Sequence, residues 1–177
     1  KEHILHIVMH HLVYDGWSIP IFFNELVEIY HVLSQGFIPN LEELPVQYAD
    51  YAIWLRKLYD ETYLKESLNF WKQYLHDYKT LDFPFDYPRM PMQSIKGAVY
   101  TNIIGSEIKK SIDEFLKEKQ ITPFMFMTSV LNILLYKYTD ENDICIGTPV
   151  ANRDNKEIQG LIGYFVNTLP LRTKLDD

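Results

Sequence analysis

Two histidines, an aspartate and a glycine lie within seven residues near the start of the chain, in the order His10-His11-Leu12-Val13-Tyr14-Asp15-Gly16. Imidazole titrates close to neutral pH, so a histidine facing a cleft can take a proton from a nucleophile or hold that nucleophile in line. Asp15, one short loop later, can fix the local geometry through an ion pair or backbone bonds, and Gly16 is expected at a sharp turn that a side chain would obstruct. At average residue usage, these four types at these offsets arise by chance in such a chain on the order of once in several thousand cases. Read one at a time, the same residues also fit a pair of structural histidines beside an Asp-Gly turn.

The flanking residues predict how the string is held. Ile4, Leu5, Ile7 and Val8 form an apolar run of strand length suited to burial on both faces. In a strand His10 and His11 point to opposite faces, one to a cleft and one inward. Ser18 can N-cap a helix that tolerates Pro20, carries Phe22, Phe23, Leu26, Tyr30 and Leu33 as its apolar stripe, and ends before Gly36. That helix is expected to pack on the strand, with free N–H groups near Gly16 and Trp17 placed to favour a developing oxyanion.

Further helices are predicted from Gln47 to about Tyr59 and from Tyr63 to Tyr78. Pro84, Pro88 and Pro91, interleaved with Phe83, Phe85 and Tyr87, mark an extended, anchored connection. Beyond it come an alternating strand from Gly97 to Ile104, a helix capped by Ser106, and a helix started by Thr122-Pro123. The last is apolar nearly all round from Phe124 to Tyr138 and is expected to be central and buried. Strands from Asp143 to Val150 and from Tyr164 to Thr173 follow.

Composition narrows the function classes. A chain of 177 residues with 47% hydrophobic content can bury a sizeable core, and no run is long enough to span a bilayer. A net charge of -7 argues against nonspecific binding to nucleic acid, which needs basic surface. The single cysteine, Cys145, has no internal disulfide partner, reads as a buried structural thiol, and fits the cytoplasm best. His3, His6, His10 and His11 crowd the N-terminus, but strand geometry separates them and no HExxH or paired-cysteine spacing supports a metal site, so none is expected.

The HHxxxDG string resembles that of the acyltransferase superfamily of chloramphenicol acetyltransferase, carnitine acyltransferases and the condensation domains of nonribosomal peptide synthetases. Tyr48-Ala49-Asp50-Tyr51-Ala52-Ile53-Trp54 is similar to the condensation-domain motif YxDFAxW, with Tyr51 where Phe is usual. Gly147-Thr148-Pro149-Val150-Ala151-Asn152-Arg153 resembles the GTPxANR stretch, and residues 162–172 resemble IGxFVNTLxLR. The four matches occur in the family's order.

This resemblance implies an α/β (α+β) fold like chloramphenicol acetyltransferase, with mixed sheets and packed helices. It implies an internal fragment: residues 1–79 end a first subdomain, 80–95 connect, and 96–177 begin a second. Amide-bond formation between carrier-bound thioesters is the implied activity, and an isolated segment is expected to be inactive by itself. Related readings are an acyltransferase with a free alcohol or amine acceptor, and a noncatalytic carrier-binding piece. The resemblance assigns catalysis to His11, as base or as positioning group, within a motif that also includes His10, Asp15 and Gly16. Asp15 is implied to be structural and ion-paired, with Arg153, Arg172 or a partner outside the chain; Trp17, Ser18 and Asn167 are candidates for substrate contact. Trp17-Ser18-Ile19-Pro20 departs from the VSWR-like continuation of epimerization domains, and the DxxxxDxxS pattern of heterocyclization domains is absent. Donor and acceptor carrier proteins and adjacent synthetase domains are the implied partners. Their phosphopantetheine arms tether the substrates, and no cofactor is expected on this chain itself.

Overall fold

The computed structural model describes residues 2–59, 61–88, 90–92, 94 and 96–176. Its elements are α1 (Ser18–Ser34), α2 (Tyr48–Leu58), α3 (Glu61–Tyr74), α4 (Ser106–Lys119), α5 (Pro123–Thr139), β1 (Asp143–Val150), α6 (Lys156–Gln159) and β2 (Asn167–Lys174). The two strands pair in one sheet, and the Leu175 N–H reaches the Asn142 carbonyl at 2.8 Å, so the pair is antiparallel. The class is mixed α/β.

Contacts divide the chain into two compact units. One holds the residues up to His76 together with Gly147–Leu171, and the other holds Asp77–Ile146 together with the residues from Arg172 on. Residues 96–177, expected as one piece, contribute to both, because the chain that leaves along β1 and returns along β2 gives Gly147–Leu171 to the first unit.

Local signals set several boundaries. Helix α1 closes on Gly36, whose φ of 80° is left-handed, with its N–H on Leu33 O at 3.0 Å and the Phe37 N–H on Val32 O at 3.1 Å. Helix α5 opens with the Thr122 hydroxyl accepting the Met125 N–H at 3.2 Å, ahead of Pro123. Ser18 and Ser106 are first residues of their helices and not caps, those positions falling to Trp17 and Gly105. Helix α3 starts two residues earlier than expected and ends at Tyr74. In the first unit Tyr51, Ile158, Leu161 and Phe165 form a buried cluster, with Val46 and Leu55 against it. No described helix is long and apolar enough to cross a membrane.

Three expectations are corrected. The runs Ile4–Val8 and Gly97–Ile104 are not strands, and Ile4 and Val99 stand 96% and 92% exposed. Among the described residues β1 and β2 make the only sheet, and an apolar run becomes a strand only when a neighbour accepts its backbone bonds. His10 and His11 are therefore both exposed and not divided between two faces, and the α1 stripe has no strand to cover it: Tyr30 and Leu33 are exposed. Helix α5 is not enclosed either. Asn132 is its one buried residue, because its unit contains too few elements to surround a helix that is apolar on every side. Arg89, Gln93 and Ile95 of the predicted connection lie outside the described residues.

Candidate active site

The aspartate of the HHxxxDG string lies at the centre of a buried hydrogen-bonded knot. Asp15 is 2% exposed, and its Oδ1 lies 3.0 Å from Nη2 of Arg153, which is buried as well. Asp15 Oδ1 also accepts the Ser18 N–H at 3.0 Å, and Oδ2 accepts the Phe165 N–H at 3.0 Å. The single proton of the Ser18 hydroxyl serves one of two acceptors, Asp15 Oδ1 at 2.8 Å or the Gly163 carbonyl at 3.0 Å. The same oxygen accepts from Arg153 at 3.0 Å and from the Gly163 N–H at 3.1 Å.

Arg153 completes its pairing by donating to the carbonyls of Ile158 at 2.9 Å and Leu161 at 2.7 Å, and its guanidinium lies 3.9 Å from the Phe165 ring centroid. Its Nε is buried without a partner among the described residues. Burial by itself raises the Asp15 pKa, but the Phe165 N–H, the Ser18 hydroxyl and N–H, and the Arg153 charge together hold it below its ordinary value. A carboxylate so engaged anchors a loop and carries no proton for a substrate.

The anchor fixes the loop that bears His11. The exposed imidazole stacks on Tyr14, with centroids 5.1 Å apart and planes at 21°, and packs edge-to-face with Tyr164 at 5.6 Å. Tyr164 is held in turn, since its carbonyl accepts the Tyr48 hydroxyl at 2.7 Å. The Tyr48 ring lies so close over Gly163 that a Cβ there would collide with it. His11 is thus an exposed ring in contact with two tyrosines. It can accept a proton from an amine, or orient that amine by a hydrogen bond.

The remaining candidates divide. His10 is exposed, and its Nδ1 accepts the Leu12 N–H at 3.1 Å, which makes it a local turn brace. Gly16 has no positive φ and nothing within 4 Å of where a Cβ would stand, so the sharp turn expected there is an ordinary one that this chain does not oblige to be glycine. Ser18, a candidate for substrate contact, is 1% exposed with its hydroxyl committed to the knot. Trp17 is half-exposed, and its indole N–H is used on the Gln159 carbonyl at 3.0 Å. Asn167 is exposed at the first position of β2. Arg172 does not hold Asp15; it forms a two-point pair with Asp143 in the second unit, with Nε on Oδ1 at 2.7 Å. Cys145 is half-buried, and desolvation pushes its thiol up, which leaves it a poor nucleophile.

The family model for the condensation domain matches residues 1–177. The chain belongs to the condensation-domain family. Among curated relatives of this condensation domain, it is 41% identical over 176 residues to one of the linear gramicidin synthase proteins of Brevibacillus parabrevis, covering 99% of this chain and 2% of that protein. It is 37% identical over 174 residues to a phosphinothricin tripeptide synthetase of Streptomyces viridochromogenes, covering 98% of this chain and 16% of the relative. The chain therefore spans a small part of the relatives it matches. Among solved structures it resembles the X-domain in complex with OxyB from teicoplanin biosynthesis, with a TM-score of 0.82, 26% identity, and coverage of 95% of this chain and 38% of that one.

Sequence reasoning missed the two tyrosines against His11. Tyr14 and Tyr164 occupy the variable positions of HHxxxDG and IGxF, where a motif carries no information, and only an aromatic side chain beside a motif residue in each string hinted at a role.

Proposed function

We propose that this chain is part of a peptide-synthetase condensation catalyst, in which the amine of an acceptor aminoacyl thioester attacks a donor acyl or peptidyl thioester. Phosphopantetheine arms of two carrier proteins present both substrates, adjacent synthetase domains are the other partners, and the cytoplasm is the compartment. The new C–N bond forms as the C–S bond breaks, the amine loses a proton, and the donor arm leaves as a thiol. His11 takes that proton or holds the amine in line, and Asp15 with Arg153 keeps the loop in register without touching substrate. The observation that carries this reading is the exposed His11 ring in contact with Tyr14 and Tyr164 in the unit that also contains the buried Asp15–Arg153 anchor. Sequence around the site supports condensation over epimerization, since Trp17-Ser18-Ile19-Pro20 follows Gly16.

A binding role without catalysis is the second reading, favoured by the likeness to an X-domain whose structure is a complex with OxyB. One experiment separates them. The synthetase segment carrying this chain is supplied with loaded donor and acceptor carriers, and the acceptor is followed by intact-protein mass spectrometry. Loss of transfer by about a hundredfold or more in a folded His11→Ala variant is expected for condensation. Unchanged transfer in the variant sinks the role of His11, and absence of transfer in the wild type with confirmed loading favours the binding role.

A further inference from the structure

One concavity of the first unit is lined by residues of α2 and does not include His11. It encloses about 280 Å³, small for a ligand pocket, and its walls include Tyr51, Trp54, Tyr59, Tyr63, Asn152 and Asp154. The four aromatic rings of this cavity are not all core: Trp54, Tyr59 and Tyr63 stand 46%, 41% and 52% exposed. The rings come in two tilted pairs, Tyr51–Trp54 and Tyr59–Tyr63, each with centroids 5.9 Å apart.

The charge of the walls is one-sided. Asp154 is the one charged side chain among the described residues that line this cavity. A second concavity of about 270 Å³ shares Tyr51, Trp54, Asn155 and Ile158, and adds Asp50 and Glu157. Among the described residues, no lysine, arginine or histidine lines either one. The nearby Arg153 is already paired with Asp15 and stacked on Phe165, so its charge is answered on that side. Asn152, left-handed at a φ of 52°, donates its amide to the Tyr51 hydroxyl at 3.2 Å and so holds that ring in place. This hydroxyl exists because Tyr51 stands where the YxDFAxW motif has Phe.

Aromatic faces present negative charge density, and beside a carboxylate they favour a cation over a neutral body of the same shape. A bulky, weakly hydrated cation gains most from such walls, because little hydration is lost when the rings replace water. We propose that the Trp54 cavity is a binding site for a small alkylammonium ligand, its charge over the rings and near Asp154. The cavity is lined without His11, so the proposal stands or falls separately from the reading of that residue.

The test titrates the isotopically labelled chain with choline, and in parallel with its neutral carbon isostere dimethylbutanol, at matched ionic strength. The Trp54 indole N–H is read by NMR and distinguished from those of Trp17 and Trp71 by a Trp54→Phe variant. Choline is expected to give a saturable shift of that signal. Affinity falls by at least roughly fivefold for the isostere and for Asp154→Asn, an exposed substitution that leaves the core alone. A shift that never saturates, an equal response to the isostere, or an Asp154→Asn variant that binds choline as well as the wild type overturns the proposal.

Discussion

Among the described residues two arginine–carboxylate pairs hold this chain, and they differ in nearly everything except chemistry. Arg153 and Asp15 have side chains 1% and 3% exposed, while Arg172 and Asp143 are 10% and 29% exposed. The buried pair joins residues 138 apart in sequence and shares its atoms with Ser18, Phe165 and the carbonyls of Ile158 and Leu161. The outer pair clips neighbouring strands across 29 residues through two bonds. At both aspartates burial raises the pKa; at Asp143 the Arg172 bond outweighs it and is the main cause of the lowered value, whereas at Asp15 burial is the largest single influence and is overcome only by several bonds at once. A desolvated pair depends on every partner being present, and a partly exposed pair is replaced by water to a greater extent when broken.

The largest effect should follow from breaking the buried pair. Arg153→Ala leaves the Asp15 carboxylate uncompensated in the interior and is expected to cost about 3–5 kcal/mol in urea unfolding, with a loss under about 1 kcal/mol contradicting the contrast between the pairs. Next comes acid. Because the folded Asp15 pKa is depressed, its stabilisation is present above the unfolded value near 4 and disappears as pH falls through the lower folded value. Unfolding midpoints measured from about pH 6 down to about pH 2 should therefore drop for the wild type, and drop less steeply for Asp15→Asn; parallel curves would remove Asp15 from the account.

Gly163→Ala sharpens the comparison from another side, since it pushes the Tyr48 ring away from a backbone that both donates to and accepts from Ser18. A loss of roughly 1–3 kcal/mol is expected, together with a change in the His11 ring resonances as Tyr164 moves. Arg172→Ala should be the mildest, with a midpoint shift no more than about a third of that for Arg153→Ala. Added salt should erode the Arg172 contribution and leave that of Arg153 nearly intact. Equal salt sensitivity of the two would mean that burial does not distinguish them.

Much of the local structure was legible from residue order. Thr122-Pro123 set the start of α5, Gly36 set the end of α1, and Asp143–Val150 formed the predicted strand to the residue. Ile4–Val8 and Gly97–Ile104 carried strand patterns as clear as that one and did not pair, because a strand is completed by its neighbour and not by its own side chains. Ser18 read as a cap and a substrate contact, being a hydroxyl at a helix start, but its burial came from Gly163 and Arg153 far along the chain.

By itself the sequence determined the family, through four motifs that resemble those of condensation domains in their order, and that resemblance named His11 as the candidate histidine and Asp15 as an ion-paired residue. Only the tertiary structure decided that Arg153 and not Arg172 answers Asp15, that Tyr164 closes on His11, and that Gly163 yields its side-chain space to Tyr48. Those choices join segments more than a hundred residues apart, and no local spacing encodes which of several compatible partners the fold brings into contact.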